Sequence, residues 1–283
     1  MKGGEMIDGS TKDYTFAQKR HWRGWLWNRI AERVRPKDSL VIGLFGADGL
    51  DVGEALVRGF DQGNLIAIER DRRAALKLRR NGITTIHSST SRVFHAWRND
   101  PAWNVAVLDF TSDVSREVFM TIRSACFLRS AMPGTAVVAI NMLRGRSPVG
   151  AELVRNHYLD SDESDYPELK SILDAGPSKA RPFKLVTKIV LNEVHAELRG
   201  FWARGEWGKA NALNAQMLAW LRSLRPEFAS YRSGPLVFDS VVVTIPTNVP
   251  DGCRVQPSED AKTVRLIAAA RALRTQRTYG ASA

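Results

Sequence analysis

Residues 39–51 have the sequence SLVIGLFGADGLD, in which a continuous apolar run ends in a glycine-containing turn. An apolar run without polar alternation predicts a strand that is buried on both faces. The segment 64–69, NLIAIE, repeats the pattern, and helical patterns follow the two runs at about 51–60 and at 71–80. Buried strands that alternate with helices predict a parallel sheet covered by helices on both faces.

The same alternation continues as far as about residue 145. We expect further strands at 83–87, 103–109 and 134–142, and a helix at 114–130. Beyond this region, two late strands are expected at 228–231 and 237–245, after a helical stretch at 183–222 that contains several glycines. The sequence therefore predicts a doubly wound α/β sheet with additional elements after it.

Charge and chain organisation suggest three parts. These are a basic N-terminal helical arm at 1–37, a sheet domain at 38–246 with an insertion at 147–227, and a basic tail at 247–283. Lys and Arg number 41 against 30 Asp and Glu, so the formal net charge is +11, which favours polyanionic partners. No apolar run approaches the roughly 18 residues of a membrane span, and no secretory signal is recognisable. We therefore expect a cytoplasmic protein without integral membrane association.

Composition and motifs exclude several classes of protein. Hydrophobic residues make up 44% of the 283 residues, which is enough to bury a core and excludes a wholly disordered chain. Cys126 and Cys253 form neither a disulfide framework nor a zinc site, and we expect both to be structural. His195-Ala196-Glu197 matches half of a zinc-deaminase signature, but the required Pro-Cys-x-x-Cys is missing. We expect no metal site, and no hydrolase or ATPase motif is present.

Cations gather in three groups. The first lies in the predicted helix 14–35, where Trp22, Trp25 and Trp27 are interleaved with arginines. This mixture could stack bases and neutralise phosphates. We favour a different interpretation, in which the tryptophans lie in the core and the arginines form a solvated face. The second group comprises Arg70, Arg72, Arg73, Lys77, Arg79 and Arg80, and the third is a predicted basic helix at 261–277. Together they favour nucleic acid, although the tail could equally meet anionic lipid or a protein.

The glycine turn and one acid indicate a nucleotide site. Gly46 and Gly49 follow the first strand, where the absence of Cβ lets a ligand approach the backbone. Glu69 stands 23 residues after Gly46, about where an acid accepts hydrogen bonds from ribose hydroxyls. The alternative to a nucleotide site is that the glycines form an ordinary turn and that Glu69 is an acid at the N-terminus of a helix. The spacing Gly43-x-x-Gly46-x-x-Gly49 also differs from the dinucleotide fingerprint, which disfavours a nicotinamide or flavin cofactor.

Five motifs carry a wider resemblance: SLVIGLFGADGLD at 39–51, LIAIERD at 65–71, ITTIHSST at 83–90, WNVAVLD at 103–109 and MPGTAVVAI at 132–140. In these motifs, residues 38–145 resemble the class I S-adenosylmethionine-dependent methyltransferases. The resemblance implies an α/β fold with a doubly wound, mostly parallel Rossmann-like sheet. It also implies that the two late strands form an antiparallel edge pair, with helices added at the N and C termini.

The resemblance further implies a set of functional residues. Glu69 would hold the cofactor's ribose, the loop at Ser88-Ser89 would contact the adenine, and Asp109 would lie beside the methionine amine or the substrate. The expected catalytic residue is therefore Asp109, and the expected binding residues for S-adenosylmethionine are Gly43, Gly46, Asp48, Gly49, Glu69, Ser88 and Ser89. With the basic groups, this predicts a methyltransferase that acts on RNA or DNA; its oligomeric state is left open.

Departures from the family's pattern leave alternatives. Gly43 stands where the family usually has an acid, and Ser89 where an aspartate often contacts the adenine. The segment 109–112, DFTS, lacks the prolines of enzymes that methylate exocyclic amines, and Asn141 replaces the fifth-strand lysine of ribose 2′-O enzymes. A second hypothesis is thus a catalytically degenerate relative that binds nucleic acid or serves in assembly, of viral or mobile-element origin. A nicotinamide-dependent oxidoreductase is the third.

Overall fold

The structure is a computed structural model that describes residues 17–96, 103–111, 115–130, 136–143, 181–233 and 235–246. The predicted C-terminal helix, Cys253 and the acidic part of the insertion lie outside these ranges. Within them the chain forms one seven-stranded sheet with helices on both faces.

The elements are, in chain order, α1 (Ala17–Ala31), β1 (Val41–Gly43), α2 (Leu50–Val57), β2 (Leu65–Glu69), α3 (Arg72–Arg80), β3 (Thr84–His87), α4 (Thr90–Ala96), β4 (Val105–Asp109), α5 (Arg116–Ser130), β5 (Ala136–Leu143), α6 (Arg181–Ala203), α7 (Trp207–Ser223), β6 (Glu227–Ser233) and β7 (Leu236–Ile245). The predicted strands agree with these bounds, although β1 is shorter than expected. The sequence did not predict α4. Gly205, with a left-handed φ of 70°, separates α6 from α7, as the glycines in this stretch suggested.

The strands are arranged in the order β3-β2-β1-β4-β5-β7-β6. The first five pair in parallel, whereas β7 is antiparallel to both β5 and β6. This confirms the expected doubly wound, mostly parallel Rossmann-like sheet with a late antiparallel edge pair. The strand order reverses between β1 and β4, and in such sheets ligands bind at the carboxyl ends of the strands beside this reversal.

Side chains of the central strands alternate between two buried layers. On one face, Val41 and Val105 pack with residues of α1, α2 and α3. On the other face, Ile42 and Ala106 pack with residues of α4, α5, α6 and α7. Because both faces are covered, the strands have continuous apolar sequences, which is why they were recognisable.

Helix α1 packs on the sheet with an unexpectedly polar buried side. Its buried residues are Lys19, Trp22, Arg23, Leu26, Trp27 and Ile30, at the 3 and 4 spacing of one helical face. Trp22 and Trp27 belong to the core, as favoured. The expectation of a solvated basic face is wrong for Lys19 and Arg23, which are each 2% exposed.

No helix among the described residues is long and apolar enough to cross a membrane.

Candidate active site

The predicted site residues lie along one edge of the sheet. Strands β1 to β4 are parallel, so the segments that follow them meet at the same edge. In sheet order, this edge carries Ser88 and Ser89 after β3, Glu69 at the end of β2, the turn 44–49 after β1, and Asp109 at the end of β4. The turn and Asp109 therefore flank the reversal of strand order.

The turn after β1 requires glycine at two positions. Gly46 and Gly49 have φ values of 65° and 63°, in the left-handed region that favours glycine. The Gly49 N–H donates to Gly46 O at 3.2 Å, and Gly49 is the residue that precedes α2. A Cβ on Gly49 would lie 2.8 Å from Ile83 Cδ1. These constraints arise from the fold itself, so the glycines alone do not demonstrate a ligand.

Gly43 has a packing role at the end of β1. A Cβ at this position would lie 2.6 Å from Phe45 Cε1 and 2.9 Å from Val107 O. Phe45 is buried, with its ring centroid 6.3 Å from that of Trp27 on α1. The Phe45 ring thus takes the space in which the family's acid would begin, and Gly43 can offer a ligand only its backbone.

Glu69 has a carboxylate that is oriented by the chain itself. The Asp71 N–H donates to Glu69 Oε1 at 2.8 Å, and Asp71 Oδ1 accepts from Ala74 N at 2.8 Å as the N-cap of α3. No described residue donates to Glu69 Oε2. An oriented carboxylate with one unused oxygen fits the binding of ribose hydroxyls, which are donors.

The loop after β3 is tied to the end of β2. The Ser88 N–H donates to Glu69 O at 3.1 Å, so Ser88 adjoins Glu69. Ser89 O accepts from Val93 N at 3.2 Å in the first turn of α4, and both serines are half-buried. The run of hydroxyl residues at 88–91, which are favoured at helix starts, is the signal by which α4 could have been found.

A row of buried polar side chains crosses the sheet from Asp109. Asp109 pairs in register with Asn141 on β5, and Asn141 with Ser240 on β7. Asn141 Nδ2 donates to Asp109 Oδ1 at 2.6 Å and to the Tyr231 hydroxyl at 3.1 Å. Ser240 Oγ donates to Asn141 Oδ1 at 2.7 Å, and accepts from Trp22 Nε1 at 2.7 Å. The row therefore connects the end of β4 to α1.

Two buried cations of α1 reach acids beside the strand reversal. Lys19 Nζ lies 3.5 Å from Asp109 Oδ2. Arg23 Nε lies 3.2 Å from Asp51 Oδ2 on α2, and Trp27 Nε1 donates to Asp51 Oδ1 at 3.1 Å. None of these charged side chains is more than 8% exposed. Lys19 and Arg23 are thus neutralised inside the protein, and sequence reasoning missed both pairs.

Other cations of the N-terminal group are also paired. Arg29 Nε lies 3.1 Å from Glu227 Oε2 on β6, and Arg33 contacts the other oxygen of the same carboxylate. Arg20 and Arg35 are exposed. Most of this basic group therefore serves internal contacts rather than an external polyanion.

The Asp51 carboxyl is in an unfavourable environment for its charge. Burial raises the pKa of Asp51 above its ordinary range, and the nearby charge of Asp109 adds to this effect. The Arg23 guanidinium and the Trp27 hydrogen bond oppose it. The charge of Asp109 thus affects the ionisation of Asp51.

Residues outside this edge offer no competing centre in the part of the chain that is described. His195 is buried, with its ring centroid 6.3 Å from that of Trp202. Burial raises the pKa of Cys126 to about 12, so this thiol is unreactive. No group of three or more His, Cys, Asp or Glu among the described residues is placed to hold a metal ion.

Strand order, parallel pairing and the antiparallel edge pair define a doubly wound, Rossmann-like α/β fold. No protein-family model matches the chain, and no curated protein gives a significant match. Among solved structures, the chain is similar to one described as a "putative sarcosine dimethylglycine methyltransferase" from Galdieria sulphuraria. That similarity has a TM-score of 0.37 at 10% identity and covers 81% of this chain and 86% of the other. A likeness at this level carries no argument, and the fold class rests on the strand order.

Proposed function

We propose that this protein is an S-adenosylmethionine-dependent methyltransferase whose acceptor is nucleic acid. The observation that carries the proposal is the oriented Glu69 carboxylate, which adjoins a left-handed glycine turn at the strand reversal of this fold. When bound, S-adenosylmethionine would supply a methyl group on a sulfonium, which an acceptor takes by in-line displacement. Such a reaction depends mainly on alignment, so it needs few catalytic side chains.

The residues present fit this cofactor better than a dinucleotide. Asp48 lies in the turn, where it pairs with Lys77, and Asp51 lies in the first turn of α2. Their charges do not decide between the cofactors, because Lys77 pairs with Asp48 and Arg23 pairs with the buried Asp51. The preference comes from the turn, whose spacing Gly43-x-x-Gly46-x-x-Gly49 differs from the Gly-x-Gly-x-x-Gly that cradles a dinucleotide pyrophosphate.

Several of the predicted residues then have a role at the site. Glu69 Oε2 would accept from the ribose hydroxyls, and the backbone N–H of Gly46 would face the methionine end, whereas the Gly49 N–H donates to Gly46 O and shapes the turn. Ser88 and Ser89 would border the adenine. Asp109 would face the reaction centre, although both of its oxygens are engaged here, by Asn141 and by Lys19. Asp109 could therefore act on an acceptor only after Lys19 changes its contact.

A second candidate is a relative of the same fold that binds nucleic acid without transferring a methyl group. Two observations favour it: Phe45 fills the space beside Gly43, and Lys19 covers Asp109. In this case the protein would bind nucleic acid but neither S-adenosylmethionine nor S-adenosylhomocysteine.

Methyl transfer tests the proposal directly. The protein is incubated with radiolabelled S-adenosylmethionine and with pools of RNA or DNA. We expect label in one pool with the wild type, none with Glu69→Ala, and wild-type incorporation with Glu197→Ala, which removes an exposed acid from α6. Equal incorporation by Glu69→Ala would contradict the site, and none by the wild type would contradict the activity.

A further inference from the structure

Helix α3 presents cations on its exposed surface and contains no acid. Arg72, Arg73, Lys77, Arg79 and Arg80 are all exposed, whereas Ala75 and Leu78 face the sheet. Lys77 contacts Asp48, and Arg79 donates to Thr85 O at 2.9 Å. Among the described residues, none forms an ion pair with Arg72, Arg73 or Arg80.

This arrangement of charge is unfavourable for the helix. Arg72 and Arg73 occupy its first turn, where the positive end of the helix dipole disfavours cations. Arg73 and Lys77 are like charges at the i, i+4 spacing, and Lys77 and Arg80 at i, i+3, which also destabilises a helix. A surface selected only for solubility mixes both signs. A local electrostatic conflict of this kind indicates a binding role.

We propose that the exposed face of α3 binds the phosphodiester backbone of nucleic acid. Arg72 and Arg80 are eight residues apart, which is about 12 Å along a helix and matches roughly three phosphates of one strand. Guanidinium groups bind phosphate oxygens with two parallel hydrogen bonds. The claim that this surface binds the methyl acceptor rests on the proposed function.

The position of this face suits an acceptor strand. Arg72 begins α3 three residues after Glu69, and Lys77 contacts Asp48 in the glycine turn. A strand held on α3 would therefore border the candidate cofactor site. Leu76, at 42% exposed, is the large apolar side chain on this face, and one such residue is too little for insertion into a lipid surface.

The test compares binding of labelled single-stranded RNA and duplex DNA by fluorescence anisotropy at several salt concentrations. The variant Arg72→Gln/Arg73→Gln/Arg80→Gln removes three cations of α3 that form no ion pair with a described residue. We expect a slope of log K against log salt that is shallower by about 3, and binding about tenfold weaker or worse. The melting temperature should be unchanged or higher, because like charges are removed.

A matched control removes the same charge elsewhere. Arg199, Arg222 and Arg232 are exposed on α6, α7 and β6, and the variant Arg199→Gln/Arg222→Gln/Arg232→Gln should bind nearly as the wild type does. An unchanged slope in the α3 variant, or an equal loss in both variants, would overturn the proposal. Binding to vesicles of phosphatidylserine and phosphatidylcholine is measured in parallel. The proposal would also be overturned if the α3 variant bound these vesicles more weakly than the wild type but bound RNA and DNA equally well.

Calorimetry with S-adenosylmethionine separates this inference from the proposed function. A wild type that binds nucleic acid through α3 but does not bind S-adenosylmethionine would contradict the transferase and leave the surface intact. A wild type that binds S-adenosylmethionine, with nucleic-acid binding unaffected in the α3 variant, would contradict the surface alone.

Discussion

Lys19 Nζ on α1 lies 3.5 Å from Asp109 Oδ2 at the end of β4, and the two side chains are 2% and 8% exposed. The ion pair attaches the N-terminal helix to the strand reversal where the candidate site lies. Charges taken out of water in this way depend on their partners, because a buried charge without compensation is strongly unfavourable. The helix therefore contributes to both the stability and the shape of the site.

Replacing Lys19 should destabilise the protein. Lys19→Met leaves the Asp109 carboxylate without its cation, and we expect the free energy of unfolding to fall by about 3–5 kcal/mol. The double variant Lys19→Met/Asp109→Asn should be less destabilised than Lys19→Met, which urea unfolding can measure. Arg20→Met, at the exposed neighbouring position, should change stability by less than about 0.5 kcal/mol. If Lys19→Met were as stable as Arg20→Met, the buried pair would be refuted.

The glycine turn provides a matched pair of substitutions. Gly49→Ala places a Cβ 2.8 Å from Ile83 Cδ1 at a left-handed φ, so we expect a loss of at least about 2 kcal/mol. Gly53 lies in α2 with no atom within 4 Å of an added Cβ, and Gly53→Ala should stabilise by about 0.5–1 kcal/mol. Thermal unfolding of the two variants is the measurement, and equal effects would contradict the described turn.

Asp51 should make a measurable contribution to the pH dependence of stability. Its pKa is raised in the folded protein, so folding favours the protonated form. The corresponding stability is present below the pKa of the unfolded chain and is lost as pH rises from about 4 through the folded pKa. The unfolding free energy of the wild type minus that of Asp51→Asn should therefore fall with rising pH. Urea unfolding between acidic and neutral pH measures this difference, and a rise would show that the shift has the opposite sign.

The fold could be predicted because its signals are local. Strands β1, β2, β4 and β5 are buried on both faces and appear as apolar runs, and the intervening helices have their own periodicity. The edge strand β3, with the sequence TTIH, gives a weaker signal. The two late strands were also predicted from the sequence, whereas their antiparallel pairing as β6 and β7 came from the family resemblance. Helix α4 was missed because it is only seven residues long and is preceded by hydroxyl residues that resemble a loop.

The buried polar contacts could not be predicted from the sequence. Lys19 and Arg23 lie at core positions of α1, but their partners Asp109 and Asp51 are on β4 and α2. Periodicity identifies a helical face and does not reveal which distant acid will neutralise a cation on it. Asn141 and Ser240 likewise interrupt apolar strands, but only the register between β5 and β7 brings them together.

Isothermal calorimetry with S-adenosylmethionine tests the central claim most directly. The account predicts that the wild type binds the cofactor, that Glu69→Ala binds it at least about tenfold more weakly through loss of a charged hydrogen bond, and that Glu69→Gln has an intermediate affinity. Glu197→Ala should bind as the wild type does. Absence of binding by the wild type would contradict the proposed function, and unchanged affinity in Glu69→Ala would contradict the assigned site.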